Sequence, residues 1–288
     1  MTASSKSNEK TKTDQARKKE ALEEAKLIAQ KMRRNILLMT HHAKGGHPGG
    51  CLSATDILAV LYKCFLRIDP QNPRWSGRDY FFLSKGHAVP AQYAVLIEMG
   101  FLSPEEIKDF REVEGRLPAY PSCTDTPGID MASGSLGQGL SIANGTALAA
   151  KLDGTGQRAY VLLGDGELHE GQVWEAAMTA AHYKLNNVCA IVDYNKLQLD
   201  GALDEVKTLG DLRAKWEAFG WHTLEIDGHD YEQIYDALVE AERFKDGPTV
   251  IIAHTVKGKG VSFMEDEVGW HCAAPSDEEL EIALKELS

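Results

Sequence analysis

Five short strand candidates, four of them nearly continuous apolar runs, punctuate the chain: YFFLS at 80–84, AYVLLGD at 159–165, VCAIVDYN at 188–195, HTLEIDG at 222–228 and PTVIIAHT at 248–255. Each has the length of a strand, and helical spacing fills most of the intervals between them. From about Lys18 to His42, Leu22, Ala25, Ile28, Ala29, Met32, Ile36 and Leu37 recur with a helical period that stops at KGGHPGG. A second helix fits 53–65. A third fits SPEEIKDFREVEG from 103, with Ser103 as N-cap, Pro104 in the first turn and acids behind, and SDEELEIALKELS at 276–288 reads as a closing helix. Unbroken apolar strands alternating with helices predict an α/β fold, a parallel sheet flanked by helices on both faces. Residues 1–17 read as a polar, frayed leader, and 18–288 as a single domain without internal repeats.

In such a sheet a ligand lies beyond the carboxyl ends of the strands. Those ends carry GDG at 164–166, DYN at 193–195, IDGH at 226–229 and HTVKGKG at 254–260. The glycines Gly164 and Gly166 let the backbone approach a ligand, and the helix start that follows offers unpaired N–H groups to an anion. A carboxylate, Asp165, within a phosphate site makes sense only with a cation between them. Asn195 closes the next apolar strand 30 positions later. Asp165, Asn195, the loop carbonyl just after it at Leu197, two phosphate oxygens and water would form an octahedral oxygen site suited to Mg²⁺, with Ca²⁺ or Mn²⁺ as substitutes. Gly-Asp-Gly alone is also a common turn; the asparagine at this spacing favours a diphosphate with its metal.

Composition narrows the partners. A formal charge of -12 and a pI near 5.3 argue against nucleic acid and anionic membranes, which need a basic face. No apolar run approaches the roughly 18 residues of a spanning helix, and the leader lacks the apolar core of a signal peptide, so a cytoplasmic location is expected. Cys51, Cys64, Cys123, Cys189 and Cys272 are odd in number and scattered, and they read as reduced packing residues.

The pairing of GDGELHEG with DYNKLQLDG closely resembles the thiamine diphosphate fingerprint of transketolases. The resemblance continues, in the family's order, through GGHPGG at 45–50, FLSKGHA at 82–88, SGSLGQGL at 133–140, EAFGWH at 217–222 and GWHCAAP at 269–275. It implies the diphosphate-binding module of a thiamine diphosphate fold, covering nearly all of the chain beyond the leader. A single-chain transketolase is about twice as long, so the resemblance implies the N-terminal subunit of a split enzyme. A separate C-terminal subunit would bring the pyrimidine-binding domain, with its cofactor-activating glutamate, and a third domain. Two copies of each chain are expected. The reaction implied is transfer of a two-carbon glycolaldehyde unit from a ketose phosphate to an aldose phosphate.

The resemblance places His87 and His271 near the diphosphate, with His47 and His271 also reaching the reacting oxygen, and such proton transfers suit histidines titrating near neutrality. It places Ser135, Leu136, Gly164, Asp165, Gly166, Glu167 and Asn195 around the cofactor, with Leu136 against its ring, and Glu170 at the subunit interface. Lys257 and Lys259 are open between surface charge and phosphate contact, and His229, in a recurring family segment, has no assigned chemistry. One position departs from the pattern: LPAYPS has Ala119 and Tyr120 where most members have glycine and a donor-sugar histidine. A phenol can donate a hydrogen bond but is a poor acid–base group near pH 7. Two other readings stand beside this one: a noncatalytic binding subunit, and a thiamine enzyme acting on 2-oxo acids.

Overall fold

The structure, a computed structural model, describes residues 3–288, with side chains described from residue 15 onward. The first helix, α1, spans Ala3–His42, starting well before Lys18. The leader contains neither proline nor glycine, the two residues that most strongly break a helix. The apolar stripe that docks α1 starts where expected, at Leu22, and runs through Ala25, Ala29, Met32, Ile36 and Leu37, all buried. Helix α2, Pro48–Cys64, begins five residues earlier than expected, because Pro48 fits the first turn behind His47. It is buried from Pro48 to Tyr62. The helix expected from 103 is only a short 3₁₀ segment, Pro104–Asp109. Glu106 does accept from the Ser103 N–H at 2.8 Å, but the chain turns extended at Phe110 and left-handed at Arg111 (φ 68).

All five candidates are strands: β1 (Tyr80–Leu83), β2 (Ala159–Gly164), β3 (Val188–Tyr194), β6 (His222–Asp227) and β7 (Thr249–His254). They form one parallel sheet in the order β1-β2-β3-β7-β6. A small antiparallel hairpin, β4 (Leu197–Gln198) with β5 (Gly201–Ala202), follows β3 and was not expected. Alternate residues of the central strands serve two cores. Tyr160, Leu162, Cys189, Ile191, Ile251 and Ala253 pack toward α1, α2, α3 (Val89–Glu98) and α8 (Tyr231–Arg243). Val161, Leu163, Ala190, Val192, Val250 and Ile252 pack toward α4 (Gly139–Asp153), α5 (Gly171–His182) and α7 (Leu212–Ala218), where Trp216 and Trp221 fill the layer. The remaining helices are α6 (Leu203–Lys207) and α9 (Asp277–Glu286). The register aligns Gly164 with Asp193, Tyr194 with His254 and His254 with Asp227. The strand ends singled out in the sequence therefore share one edge. All five cysteines are free, and Cys272 is exposed, so it is not a packing residue.

Candidate active site

A cleft of about 300 Å³ opens at that edge. Its walls include His47, His87, His271, Tyr120, Leu136, Gly164, Asp165, Gly166, Glu167, Asn195 and Leu197, which are most of the predicted site residues. A larger hollow of about 570 Å³ lies at the opposite end of the sheet, around Arg67, Arg158 and Lys245, and contains none of them.

Asp165 follows β2 directly and is buried. Its carboxylate accepts from the Gly166 N–H at 2.7 Å and the Lys196 N–H at 2.5 Å. Burial first, and then the neighbouring Asp193 charge, push its pKa up to about 6, more than those two donors offset. A carboxylate in that condition is matched to a cation. Asn195 lies beside it, with its side-chain oxygen accepting from the Leu197 N–H at 3.1 Å. Among the described residues no three His, Cys, Asp or Glu side chains form a metal cage, so a cation on Asp165 must complete its shell with amide, carbonyl, ligand and water oxygens.

Below Asp165 sits a second carboxylate, Asp193, with no exposure at all. Burial would raise its pKa, but Lys85 and hydrogen bonds from Ser53 (2.5 Å) and Thr255 outweigh it and hold the group ionised. Lys85 also donates to the Gly50 carbonyl at 2.8 Å. The sequence reading missed Lys85 although it stands inside FLSKGHA, because a lysine on a surface loop and one buried on an aspartate look alike in sequence.

Three imidazoles form a triangle at the mouth. Ring centroids are 5.1 Å apart for His47 and His87, 5.9 Å for His47 and His271, and 5.4 Å for His87 and His271. Burial lowers all three: His271 to about 3, with Lys257 the next cause; His87 well below its ordinary value, with Lys85 next; His47 more mildly, with Arg111 next. All three are therefore held toward the neutral form in this state, His271 most clearly. Lysines crowd the rings with positive charge, and an anion bound among them would act in the opposite sense. Lys257 is itself buried and lowered to about 8, by burial and then Lys85. Lys259 turns away and pairs with Glu265 at 3.2 Å.

Other predicted residues fall differently. Glu167 is buried, but its carboxylate ties loops together. It accepts from Gly137 N–H (2.7 Å), Gly164 N–H (3.0 Å) and the Ser84 hydroxyl, leaving little of it for a ligand. Ser135 is exposed and outside the cleft wall, and Glu170 is exposed at the start of α5 without a hydrogen bond from its side chain. Tyr120 is 44% exposed at the rim. The hairpin adds Gln198, whose side-chain nitrogen is buried without a partner, and exposed Leu199.

The fit of a diphosphate rests on these features. Gly50 leaves open the space where a Cβ would come within 3.9 Å of both His87 Nε2 and Lys85 Nζ. The ammonium groups of Lys85 and Lys257, both buried, and the carboxylates of Asp165 and Glu167 line the same hollow. Residues 24–288 match the family model described as transketolase, thiamine diphosphate binding domain.

The chain belongs to the transketolase family. It is 41% identical to an apulose-4-phosphate transketolase subunit of Phocaeicola vulgatus over 93% of this chain and 95% of that one. It is 44% identical to the 6-deoxy-6-sulfo-D-fructose transketolase subunit SqwG of a Clostridium species over 84% and 88% respectively. Among solved structures, the transketolase of Campylobacter jejuni superposes with a TM-score of 0.85 at 34% identity, covering 93% of this chain and 43% of that one. The chain is thus similar in full to subunits and to less than half of a single-chain transketolase. It is an N-terminal transketolase subunit whose reaction class is thiamine diphosphate-dependent ketol transfer, and neither a noncatalytic role nor 2-oxo acid chemistry is favoured. No helix among the described residues is long and apolar enough to cross a membrane.

Proposed function

We propose that this chain holds the diphosphate and metal half of a thiamine diphosphate site that a separate C-terminal subunit completes, with two copies of each chain, and that the assembly moves a two-carbon unit between sugar phosphates. The observation that carries the proposal is the buried Asp165, its pKa raised, lining one cleft with Asn195 and two buried lysines. Relatives named as transketolase subunits support the two-chain form. The electron-sink chemistry for breaking and forming the carbon–carbon bond is supplied by the cofactor when bound.

The chain's own residues bind, orient and move protons. Asp165, Asn195 and the Leu197 carbonyl would hold Mg²⁺, while Lys257 and the Gly164–Gly166 backbone would meet phosphate oxygens. Leu136 offers an apolar wall in the cleft. His47 and His271, neutral in this state, would face the sugar oxygens, His47 as a proton acceptor and His271 as a hydrogen-bond donor through Nε2. Tyr120 replaces a histidine at the rim, and relatives named for apulose and sulfofructose substrates support a donor outside the commonest ketose phosphates. Exposed Glu170 is free to meet the partner.

The test is calorimetry of thiamine diphosphate with Mg²⁺ on the assembled complex. Asp165→Ala should abolish metal-dependent binding while the fold persists. Undiminished affinity in a folded variant would overturn the metal assignment.

A further inference from the structure

His229 lies in the turn between β6 and α8, and its ring is bonded at both ends. Nδ1 is 2.8 Å from a carboxylate oxygen of Asp56 on α2, and Nε2 accepts from the Val256 N–H at 2.9 Å. An imidazole nitrogen that accepts has no hydrogen, so the ring's hydrogen sits on Nδ1 and points to Asp56. Asp56 is fixed in turn: Arg33 of α1 grips it with two bonds of 3.0 and 2.7 Å, and the Tyr231 hydroxyl donates to it. The motif around His229 is built for this reach. Gly228 donates to the His254 carbonyl at 2.8 Å, and a Cβ there would come within 2.5 Å of Thr255 Cγ2. Asp227 accepts from the His229 N–H at 2.8 Å, and Asp230 caps α8.

Val256 lies second in the loop after β7, and its neighbours are tied as well. Thr255 donates to Asp193, the Gly258 N–H donates to the Gly49 carbonyl at 3.0 Å, and the Lys259 carbonyl accepts from Arg33 Nε at 3.0 Å. Within this loop Lys257 alone lines the cleft. Further along, the Lys257 carbonyl accepts from the Asp266 N–H at 2.9 Å and the Gly260 N–H donates to Glu265 at 3.0 Å. The His229 bond to Val256 fixes the Thr255–Val256 peptide, one residue before Lys257, and comes from a side chain that does not line the cleft.

We propose that His229 is a positioning residue: it carries the rigidity of the Arg33–Asp56 pair to the 255–260 loop and so holds the Lys257 ammonium where the cofactor's diphosphate binds. This rests on the reading that the cleft takes thiamine diphosphate. A side chain that merely filled space at 229 would need neither ring nitrogen bonded, whereas here both are.

The test compares the full wild-type chain with the variant His229→Asn, each assembled with its partner. The asparagine amide can still donate to Asp56, so the core network stays satisfied, but it is too short to reach Val256. Amide hydrogen exchange of the 255–260 segment should quicken about tenfold, and the affinity for thiamine diphosphate with Mg²⁺ should fall about tenfold, as for one lost hydrogen bond, with the melting temperature lowered by no more than about 2–4 °C. In a Lys257→Met background the same change at 229 should leave the affinity nearly unaltered, because the residue through which it acts is gone. His229→Gln, which can reach Val256 but not hold Asp56 in the same way, serves as a second variant should His229→Asn unfold, and should keep slow exchange at Val256. Unchanged exchange and affinity in His229→Asn, or an equal loss with and without Lys257, would overturn the proposal. Wild-type complex that binds no thiamine diphosphate would sink the functional reading along with it, whereas normal wild-type binding with an indifferent variant would sink this inference alone.

Discussion

The Lys257 ammonium donates to Nδ1 of His271 across 2.7 Å, joining the loop after β7 to the segment that carries GWHCAAP. The bond leaves the ring's hydrogen on Nε2 and helps keep His271 neutral. It also places a cation beside the imidazole triangle, in a hollow whose other buried ammonium, on Lys85, is already committed to Asp193. Lys257 is therefore the cation with charge to offer a ligand.

A pH dependence follows. Burial lowers Lys257 to about 8 from 10.5, so below pH 8 the folded chain carries an ammonium it holds reluctantly. With the folded pKa below the unfolded one, the unfolded chain binds more protons between about 8 and 10.5, and this group's contribution to stability rises with pH across that window. A bound diphosphate reverses the preference by stabilising the ammonium. Thiamine diphosphate affinity should accordingly decline as pH rises above 8, and Lys257→Met should flatten that decline and weaken binding at pH 7. Calorimetry at a series of pH values checks both; a decline that persists in the variant would assign it elsewhere.

Asp193 and Lys85 make a different prediction, about stability. Both are almost wholly buried, and removing one partner strands the other charge where water cannot reach it. Lys85→Met should cost about 3–5 kcal/mol in denaturant unfolding. A cost below about 1 kcal/mol, the range of an exposed pair, would show that the carboxylate is rescued by Ser53 and Thr255 without the lysine.

How much of this was legible in the chain depends on which physical signal each part leaves. The central strands were readable because a strand buried on both faces must be apolar throughout, as Tyr160 to Leu163 is, whereas the edge strand β6 was readable from its alternation of buried and exposed positions. The extent of α1 was not, since its first turns carry no apolar stripe. The β4–β5 hairpin was missed because two-residue strands leave no periodicity, and Gln198 was missed with it. At the site, Asp165, Asn195 and the three histidines were readable from motif chemistry, and they do line one cleft. Glu167 and Ser135 lay in the same motifs, but the sequence does not show that Glu167 also ties three loop groups together or that Ser135 is exposed outside the cleft wall. His229 could not be assigned because its partners, Asp56 and Val256, are 173 and 27 positions away.

Tyr120 should govern the donor. It is exposed at the rim, within van der Waals range of the position a Gly134 Cβ would take, so an imidazole can replace it without disturbing the core. Tyr120→His should shift the ratio of kcat/KM values toward ordinary ketose phosphates, by about 1–3 kcal/mol of hydrogen-bond discrimination. A panel of donors assayed side by side gives the answer, and an unchanged ratio would mean that the residue does not read the sugar.

The central claim is that this chain supplies one half of a site and cannot turn over alone. Here the cleft offers a metal seat, ammonium groups and imidazoles, but the carboxylate nearest in sequence that is exposed, Glu170, lies outside its wall. The decisive measurement is two-carbon transfer between sugar phosphates by the purified chain with saturating thiamine diphosphate and Mg²⁺, before and after titration with the candidate C-terminal subunit. The account predicts no turnover before addition and activity that rises and saturates at one partner per chain. Appreciable transfer by this chain alone would contradict it.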